Sequence, residues 1–295
     1  MGNKETIIKS IIQEYPVSKE EMDSILNKAR KMTFQGKKPK VEGQATFVNI
    51  GGQPGAGKTG LVTKTLKEFK EKKEEAIITD INIYRSLFEK FPEIARKYPQ
   101  YYQEVTFPLL IQINNKMIEE GIDAKYNIID ENTMTSKDTI KGGLLAESAG
   151  YKVEGKIMAT SIEKSIISVF LRYIRQLENM GFGRLTPIAS VDRRYLNLCE
   201  IAKLLERKKM SMEVYIRGEN ESLPKKIYTT GDETYYNVVQ AIESGRTMDR
   251  KDYLPFAEQE LKIVIDRLKG DTRMQESLEV LDRRIMEFVN GEKLI

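Results

Sequence analysis

A short glycine-rich segment constrains the fold of this chain more than any other feature of its sequence. Residues 52–59 read Gly-Gln-Pro-Gly-Ala-Gly-Lys-Thr, which satisfies the pattern G-x-x-x-x-G-K-[ST] at every defined position. A β-rich run over 45–50 precedes the segment, and apolar positions at helical spacing follow over 58–72. This order of strand, glycine loop and helix predicts a phosphate-binding loop, in which the glycines let backbone N–H groups point inward toward an anion.

Each residue of this loop is a candidate nucleotide ligand. We expect Lys58 to reach the β- and γ-phosphates and the hydroxyl of Thr59 to ligate Mg²⁺. The helix that begins here adds its positive N-terminal end. The sequence therefore predicts that ATP and Mg²⁺ are bound by Gly52, Gln53, Pro54, Gly55, Ala56, Gly57, Lys58 and Thr59.

The balance of charged and apolar residues limits the partners of this loop. Hydrophobic residues make up 40% and charged residues 31% of the 295 residues, which is typical of a globular protein. The net charge is only +4 and no basic stripe dominates, so we expect a phosphorylated small molecule rather than a nucleic acid. No apolar run approaches the roughly 18 residues that span a bilayer, and the first residues lack a signal-peptide core. We expect a cytoplasmic protein without membrane contact.

Histidine is absent from the sequence, and Cys199 is its single cysteine. The lack of histidine excludes Ser-His-Asp catalysis, histidine-ligated zinc and imidazole acid–base chemistry. A lone cysteine excludes an internal disulfide and argues against a cysteine-based metal site. The chemistry expected of this chain is therefore that of carboxylates, lysine, arginine and Mg²⁺.

Strand and helix patterns alternate along the chain, with a capping-box pattern at Ser18 and Glu21 and a turn region after residue 217. The predicted strands lie at 45–50, 76–79, 126–129, 151–160 and 212–217. This alternation predicts an α/β fold, a P-loop kinase-like parallel sheet with helices on both faces and helical extensions at both ends. The predicted segments are an N-terminal helical extension, a P-loop kinase domain, a lid within that domain and a C-terminal helical region, at 1–44, 45–230, 165–195 and 231–295.

Carboxylates follow two of the predicted strands. Asp80 ends the second strand, and Asp130 and Glu131 end the third. Ligands of open α/β sheets bind beyond the carboxyl ends of the strands, so all three side chains could face the γ-phosphate. There a carboxylate could accept a proton from an attacking hydroxyl or hold Mg²⁺ through water. The alternative is that these residues cap helices or form turns.

Arginines cluster around a predicted glycine break in the lid. Arg172 and Arg175 lie about one turn apart on a predicted helix, and Arg184 follows the glycines at 181–183. Arginines stabilise the charge that spreads over a phosphoryl group in transfer, and neighbouring glycines permit closure. The alternative for each arginine is a solvated surface position.

Taken together, these motifs resemble the zeta toxin family, the toxin half of epsilon/zeta-type toxin–antitoxin pairs. The resemblance spans about residues 45–230. Besides the loop at 51–59, it rests on the segments Asp80-Ile81-Asn82-Ile83-Tyr84-Arg85, Ile129-Asp130-Glu131-Asn132-Thr133, Arg172-Tyr173, Arg184-Leu185-Thr186-Pro187, Arg217-Gly218-Glu219 and Ile227-Tyr228.

The resemblance implies a kinase that phosphorylates the 3′-hydroxyl of the amino sugar of UDP-N-acetylglucosamine. It implies that Lys58 and Thr59 bind ATP and Mg²⁺ and that Arg172 and Arg184 clamp the phosphates. It assigns Glu131 and Thr133, with Asp130 beside them, to the sugar nucleotide, and leaves Arg175 on the surface. A helical antitoxin is the implied protein partner, for which the helices at 5–32 are a candidate docking surface.

Two positions depart from the family's pattern. Asn82 stands where the family has its catalytic base, and an amide cannot take a proton from a hydroxyl. Either Asn82 replaces an original Asp, or Asp80 or Asp130 supplies the carboxylate, or the protein binds its ligands without turnover. Asn132 replaces a glycine beside Glu131, so a kinase for another hydroxyl acceptor, such as a nucleoside, an antibiotic or an RNA end, is a further alternative.

Overall fold

A six-stranded sheet forms the centre of the computed structural model, which describes residues 2–218 and 223–291. The spatial order of the strands is β2-β3-β1-β4-β5-β6. Neighbouring strands are parallel as far as β5, and β6 is antiparallel to β5. The strands are β1 at Thr46–Gly51, β2 at Ala76–Thr79, β3 at Asn127–Glu131, β4 at Lys152–Met158, β5 at Ser211–Ile216 and β6 at Lys225–Thr229.

Ten α-helices lie in the described part of the chain. Three short 3₁₀ helices accompany them, at Ile83–Leu87, Asp138–Ile140 and Thr272–Met274. The α-helices are α1 at Gly2–Glu14, α2 at Lys19–Phe34, α3 at Lys58–Glu71, α4 at Phe91–Lys97, α5 at Tyr102–Asp123, α6 at Lys141–Ser148, α7 at Ile162–Met180, α8 at Ile188–Arg207, α9 at Val238–Leu268 and α10 at Gln275–Val289.

The central strands are apolar on both faces because helices cover both. Successive residues of a strand point to opposite faces. In β1, Val48 and Ile50 pack with Leu61 of α3, whereas Phe47 packs with Ile118 of α5. The predicted parallel α/β sheet covered on both faces is therefore confirmed for β1 to β5.

The prediction was wrong at β6 and incomplete at α8. Residues 225–229 were assigned to a turn region, but they form an antiparallel edge strand in which only Tyr228 is buried. Such a short, charged strand carries almost no periodic signal. No element was assigned to α8, although its apolar residues recur at helical spacing. Ser18 caps α2 as predicted, since its Oγ accepts a hydrogen bond from the backbone N–H of Glu21 at 3.1 Å.

The helices at both ends of the chain share hydrophobic clusters with the sheet domain. Ile11 of α1 and Ile25 of α2 are buried in one cluster with Phe91 of α4 and Ile113 of α5. At the other end, Leu281 of α10 is buried in a cluster that α7 and α9 also line. Among the residues described, no helix is both long enough and apolar enough to span a membrane.

The packing of α10 against α7 and α9 predicts a large loss of stability when a core leucine is truncated. Leu281 is fully buried in this cluster, and we expect Leu281→Ala to lower the free energy of unfolding by about 2–5 kcal/mol, because a cavity remains. Urea denaturation measures the effect. Leu196 of α8, which is 68% exposed, is the matched control, and Leu196→Ala should change the free energy by no more than about 0.5 kcal/mol. Equal effects at both positions contradict the buried position of α10.

Candidate active site

The glycine segment forms a tight loop between β1 and α3. Gly55 and Gly57 have positive φ angles of 82° and 89°, which side chains disfavour. A Cβ atom at Gly55 would also collide with the backbone carbonyl oxygen of Ser165 in α7. The glycine at this position is therefore required both by the turn and by the close approach of α7.

Gln53 and Ala56 connect the loop to the end of β4 and to α7. The buried side chain of Gln53 donates hydrogen bonds to the carbonyl oxygen of Thr160 at 2.8 Å and to the Oγ of Ser165 at 2.9 Å. The hydroxyl of Thr160 in turn donates to the carbonyl oxygen of Ala56 at 2.8 Å. The side chain of Gln53 thus holds the loop in place. Only the backbone of this residue is available to bind a phosphate.

Lys58 lies at the first position of α3 with its amine turned toward the loop. Its Nζ donates hydrogen bonds to the carbonyl oxygens of Gly52 at 3.0 Å and Gln53 at 3.3 Å. Burial lowers the pKa of this amine, and the nearby carboxylates of Glu131 and Asp80 oppose that shift. The next residue, Thr59, is exposed and could offer its hydroxyl to a cation.

A cavity of about 520 Å³ opens over the loop. It brings together several residues predicted from the sequence, namely Gly55, Gly57, Lys58, Thr59, Glu131 and Arg172. It is also lined by residues to which the sequence assigned no ligand role, namely Ser168, Arg175, Gln176, Asn179, Met180 and Arg217. Most of these lie on α7, the predicted lid helix.

Asp80, Asn82 and Arg184 form a hydrogen-bonded cluster that belongs to the same charged region. The Oδ1 of Asp80 accepts hydrogen bonds from the backbone N–H of Asn82 at 2.9 Å and from its side-chain amide at 2.7 Å. The Oδ1 of Asn82 accepts from the guanidinium of Arg184 and, at 3.3 Å, from the Nε of Arg85. Asn82 therefore bridges a carboxylate and two cations, which it can do because an amide both donates and accepts.

Arg172 and Arg184 are both half-buried. Arg172 donates to the hydroxyl of Thr186 at 3.2 Å, and the backbone N–H of Arg184 donates to the side chain of Gln176 at 2.8 Å. Burial lowers the pKa of both guanidiniums, and repulsion from Arg85 adds to the effect. The Nε of Arg172 and the Nη2 of Arg85 are buried without a hydrogen-bond partner in the described part of the chain. Buried donors of this kind are suited to an anion.

Asp130 and Glu131 point to opposite faces of the sheet, as adjacent residues of a strand must. Glu131 lines the cavity. Burial raises the pKa of its carboxyl, whereas the positive charge of Lys58 acts to lower it. The carboxylate of Asp130 is buried on the other face, where it accepts hydrogen bonds from Thr79 at 2.9 Å and Asn132 at 2.6 Å. The expectation that all three carboxylates face the phosphates is therefore wrong for Asp130, because β3 continues through both acids.

Asn132 and Thr133 shape the loop that follows β3. The side-chain oxygen of Asn132 accepts from the backbone N–H of Met134 at 2.7 Å, so this residue closes a turn while its amide binds Asp130. The carbonyl oxygen of Thr133 accepts from the backbone N–H of Gly52 at 3.3 Å. The hydroxyl of Thr133 bonds that of Thr135 at 2.8 Å. The segment is thus tied directly to the phosphate loop.

Arg217 is a site residue that the sequence reasoning named only within the family resemblance. It follows β5, and its guanidinium donates to the carbonyl oxygens of Gly55 and Ala56 and to the Oγ of Ser168. Its position beyond the carboxyl end of a parallel strand is the signal that could have identified it. Glu219, which was named beside it, lies outside the described residues.

The fold and the loop together define a P-loop protein of the α/β class. The zeta toxin family model matches residues 28–231, more than half of the chain. This protein belongs to the zeta toxin family.

Individual relatives agree with this assignment. The toxin PezT of Streptococcus pneumoniae is 28% identical over 197 residues, which are 66% of this chain and 75% of that toxin. Toxin zeta of Streptococcus pyogenes is 27% identical over 154 residues, which are 52% of each chain. The chain thus spans about half the length of that relative.

Solved structures share the fold. A structure from the PezAT chromosomal toxin–antitoxin system of Streptococcus pneumoniae has a TM-score of 0.68 at 21% identity and covers 85% of this chain and 98% of its own. A structure of AvrRxo1-ORF1:AvrRxo1-ORF2 with sulphate ions has a TM-score of 0.53 at 15% identity and covers 94% of this chain and 89% of its own. At these identities both comparisons concern the fold alone.

The buried carboxyl of Asp130 predicts a pH dependence of stability. Burial raises its pKa in the folded protein to about 6, above the ordinary 3.8, although hydrogen bonds from Asn132 and Thr79 oppose the shift. Folding therefore favours the protonated acid. The resulting contribution to the free energy of unfolding is fully present below about pH 4 and is lost as the pH rises through about 6. It amounts to about 3 kcal/mol.

We expect the difference in free energy of unfolding between Asp130→Asn and the wild type to change by that amount between about pH 4 and pH 7. Urea denaturation at several pH values measures it, and titrations common to both proteins cancel in the difference. A difference that stays constant across this range contradicts the burial of an ionisable group at this position.

Proposed function

We propose that this protein is a kinase that transfers the γ-phosphate of Mg-ATP to a hydroxyl of a sugar nucleotide, with UDP-N-acetylglucosamine as the first candidate. One observation carries the proposal. Lys58, Glu131 and Arg172 line a single cavity over the phosphate loop, and the charges of Glu131, Asp80, Arg172 and Arg184 all act on Lys58. One site thus has room for the donor phosphate and contains both the cations that stabilise it and a carboxylate, Glu131, that can face the acceptor.

The donor half of the proposed reaction consists of the loop and α3. Backbone N–H groups of Gly55, Gly57 and Lys58, which line the cavity, bind the phosphates. Lys58 exchanges its two carbonyl partners for phosphate oxygens. Mg²⁺ in such sites keeps one or two protein oxygens beside substrate phosphates and water. The exposed hydroxyl of Thr59 fits that role. When bound, the metal neutralises charge on the transferred phosphoryl group.

Arg172 and Arg184 are the groups we assign to the phosphoryl group in transfer. Both are half-buried guanidiniums in a region where Arg85 adds further positive charge. A preorganised cation in a site that excludes water stabilises developing negative charge more strongly than one in solution. Their present partners, Thr186 and Asn82, are neutral, so an anion competes well for them.

The acceptor half needs a base, and Asp80 is our candidate. Asn82 cannot take a proton, and Asp130 is buried on the opposite face of the sheet. Asp80 is half-buried and uses its Oδ1 for both hydrogen bonds with Asn82, which leaves Oδ2 for an acceptor hydroxyl. Glu131, with Thr133 beside it, would orient the sugar.

A second acceptor class is favoured by the turn after Glu131. Asn132, which departs from the family's pattern, is joined to Asp130 by a hydrogen bond of 2.6 Å. Asn132 and Asp130 lie on either side of Glu131 in the sequence, the carboxylate proposed to orient the acceptor. A change in this turn therefore alters the surface that contacts the acceptor. Another hydroxyl acceptor, such as a nucleoside, an antibiotic or an RNA end, is therefore the alternative.

The proposed reaction is tested by incubating the protein with Mg-ATP and UDP-N-acetylglucosamine and detecting a phosphorylated sugar nucleotide by mass spectrometry. We expect product from the wild type and a loss of roughly 10²–10⁴-fold in Asp80→Asn, because a general base is removed. Product from Asn82→Asp alone would show that the base belongs at position 82. If both Asn82 forms hydrolyse ATP slowly without product, the sugar acceptor is wrong, and the other acceptors replace it in the assay.

We also propose a toxin role, with a helical antitoxin as partner and the helices at 5–32 as its docking surface. This rests on the family and on the names of the relatives. Expression should arrest growth, and Lys58→Ala should relieve the arrest because it removes the phosphate-binding amine. Lys67→Ala on the exposed side of α3 is the matched control and should remain toxic. Growth curves with equal expression measure this, and arrest by both variants contradicts a toxicity that depends on the nucleotide site.

A further inference from the structure

Asp249 is a buried carboxylate on α9 to which the proposed reaction assigns no role. It lies beyond the residues 28–231 that match the family model, and its exposure is only 2%. Its Oδ2 accepts hydrogen bonds from both the backbone N–H and the hydroxyl of Ser161 at 2.8 Å. Its Oδ1 contacts the amine of Lys164 at 3.2 Å. A buried charge with this many donors is fixed in position.

The partners of Asp249 form the beginning of α7. Ser161 is the N-cap residue of this helix, and its own side chain caps none of the free N–H groups. Asp249 reaches this end from another helix and bonds the N–H and hydroxyl of Ser161 itself, so its carboxylate lies at the positive end of α7. The start of α7 is therefore held by a residue 88 positions away in the sequence.

The beginning of α7 is also the segment that holds the phosphate loop. Thr160, directly before Ser161, donates to Ala56 and accepts from Gln53. Ser165, one turn into the helix, binds Gln53 through its hydroxyl and lies against Gly55 through its carbonyl. Contacts thus run without interruption from Asp249 through Ser161 and its neighbours to the loop.

We infer that Asp249 is a positioning residue of the nucleotide site, through which α9 sets the geometry of the phosphate loop. The inference rests on the proposed function in one respect, that the loop binds Mg-ATP. When the carboxylate is lost, Ser161 and Lys164 lose the partner that fixes the start of α7, and Thr160 and Ser165 no longer hold Gln53 and Gly55 in one arrangement. The affinity for Mg-ATP then falls, while the acceptor side, formed by residues after β2 and β3, is unaffected.

Arg246 provides a matched control on the same helix. It lies three positions before Asp249, is 7% exposed and donates to the carbonyl oxygen of Tyr195 at 2.6 Å. It also donates to the Sγ of Cys199 and lies over the ring of Tyr195, so it joins α9 to α8 rather than to α7. Loss of Arg246 should destabilise the protein without changing the loop.

The test measures the dissociation constant of Mg-ATP by isothermal titration calorimetry, and the melting temperature, on the full chain. We expect Asp249→Asn to weaken Mg-ATP binding roughly tenfold, whereas Arg246→Gln should change it by less than about threefold at a comparable loss of melting temperature. In the kinase assay, Asp249→Asn should raise the KM for ATP and leave the KM for the acceptor unchanged.

Ser161→Ala keeps the test decisive if Asp249→Asn fails to fold, because it removes only one donor. We expect it to weaken binding by about threefold, and the double variant with Asp249→Asn to bind no more weakly than Asp249→Asn alone. Equal effects of Asp249→Asn and Arg246→Gln on Mg-ATP affinity overturn the inference. It is also overturned if neither Asp249→Asn nor Ser161→Ala changes that affinity. If the wild type itself does not bind Mg-ATP, the proposed function fails and the inference fails with it.

Discussion

The packing of the phosphate loop against the start of α7 is the constraint on which the rest of the site depends. Gly55 approaches the carbonyl of Ser165 so closely that no side chain fits there, and Gln53 is buried with its amide bonded to both Thr160 and Ser165. These contacts join β1 and α3 to β4 and α7. Because α7 also carries Arg172, the same packing sets where a guanidinium lies relative to the loop.

Electrostatics explains why this region suits an anion. The cations of Lys58, Arg85, Arg172 and Arg184 lie here near the carboxylates of Asp80 and Glu131. Burial lowers the pKa of all four cations, so each loses part of its hydration without full compensation. An anion that enters the site supplies the missing negative charge, and the folded protein keeps the donors aimed at it in advance.

How much could be read from the sequence depended on whether the signal was local. The phosphate loop requires its glycines, its lysine and its flanking strand and helix within a few residues, and these were predicted as they occur. The opposite directions of Asp130 and Glu131 were also a local fact, but their assignment to one site overlooked the alternation along β3. Arg217 and Asp249 reach the loop and α7 from distant segments. The position of Arg217 at the end of a predicted strand was a local signal for the site, but no spacing pattern contains these long-range contacts, which only the fold shows.

The amide at position 82 is best understood from its neighbours. The Oδ1 of Asp80 receives both the backbone and the side-chain N–H of Asn82, and a carboxylate at 82 would remove one donor and set a like charge beside Asp80. It would also pair more strongly with Arg184, whose guanidinium now contacts the amide oxygen. The amide therefore spares Asp80 a like charge beside it and leaves Arg184 less tightly bound. Both consequences support our proposal that the base is Asp80, two residues earlier than the resemblance implied.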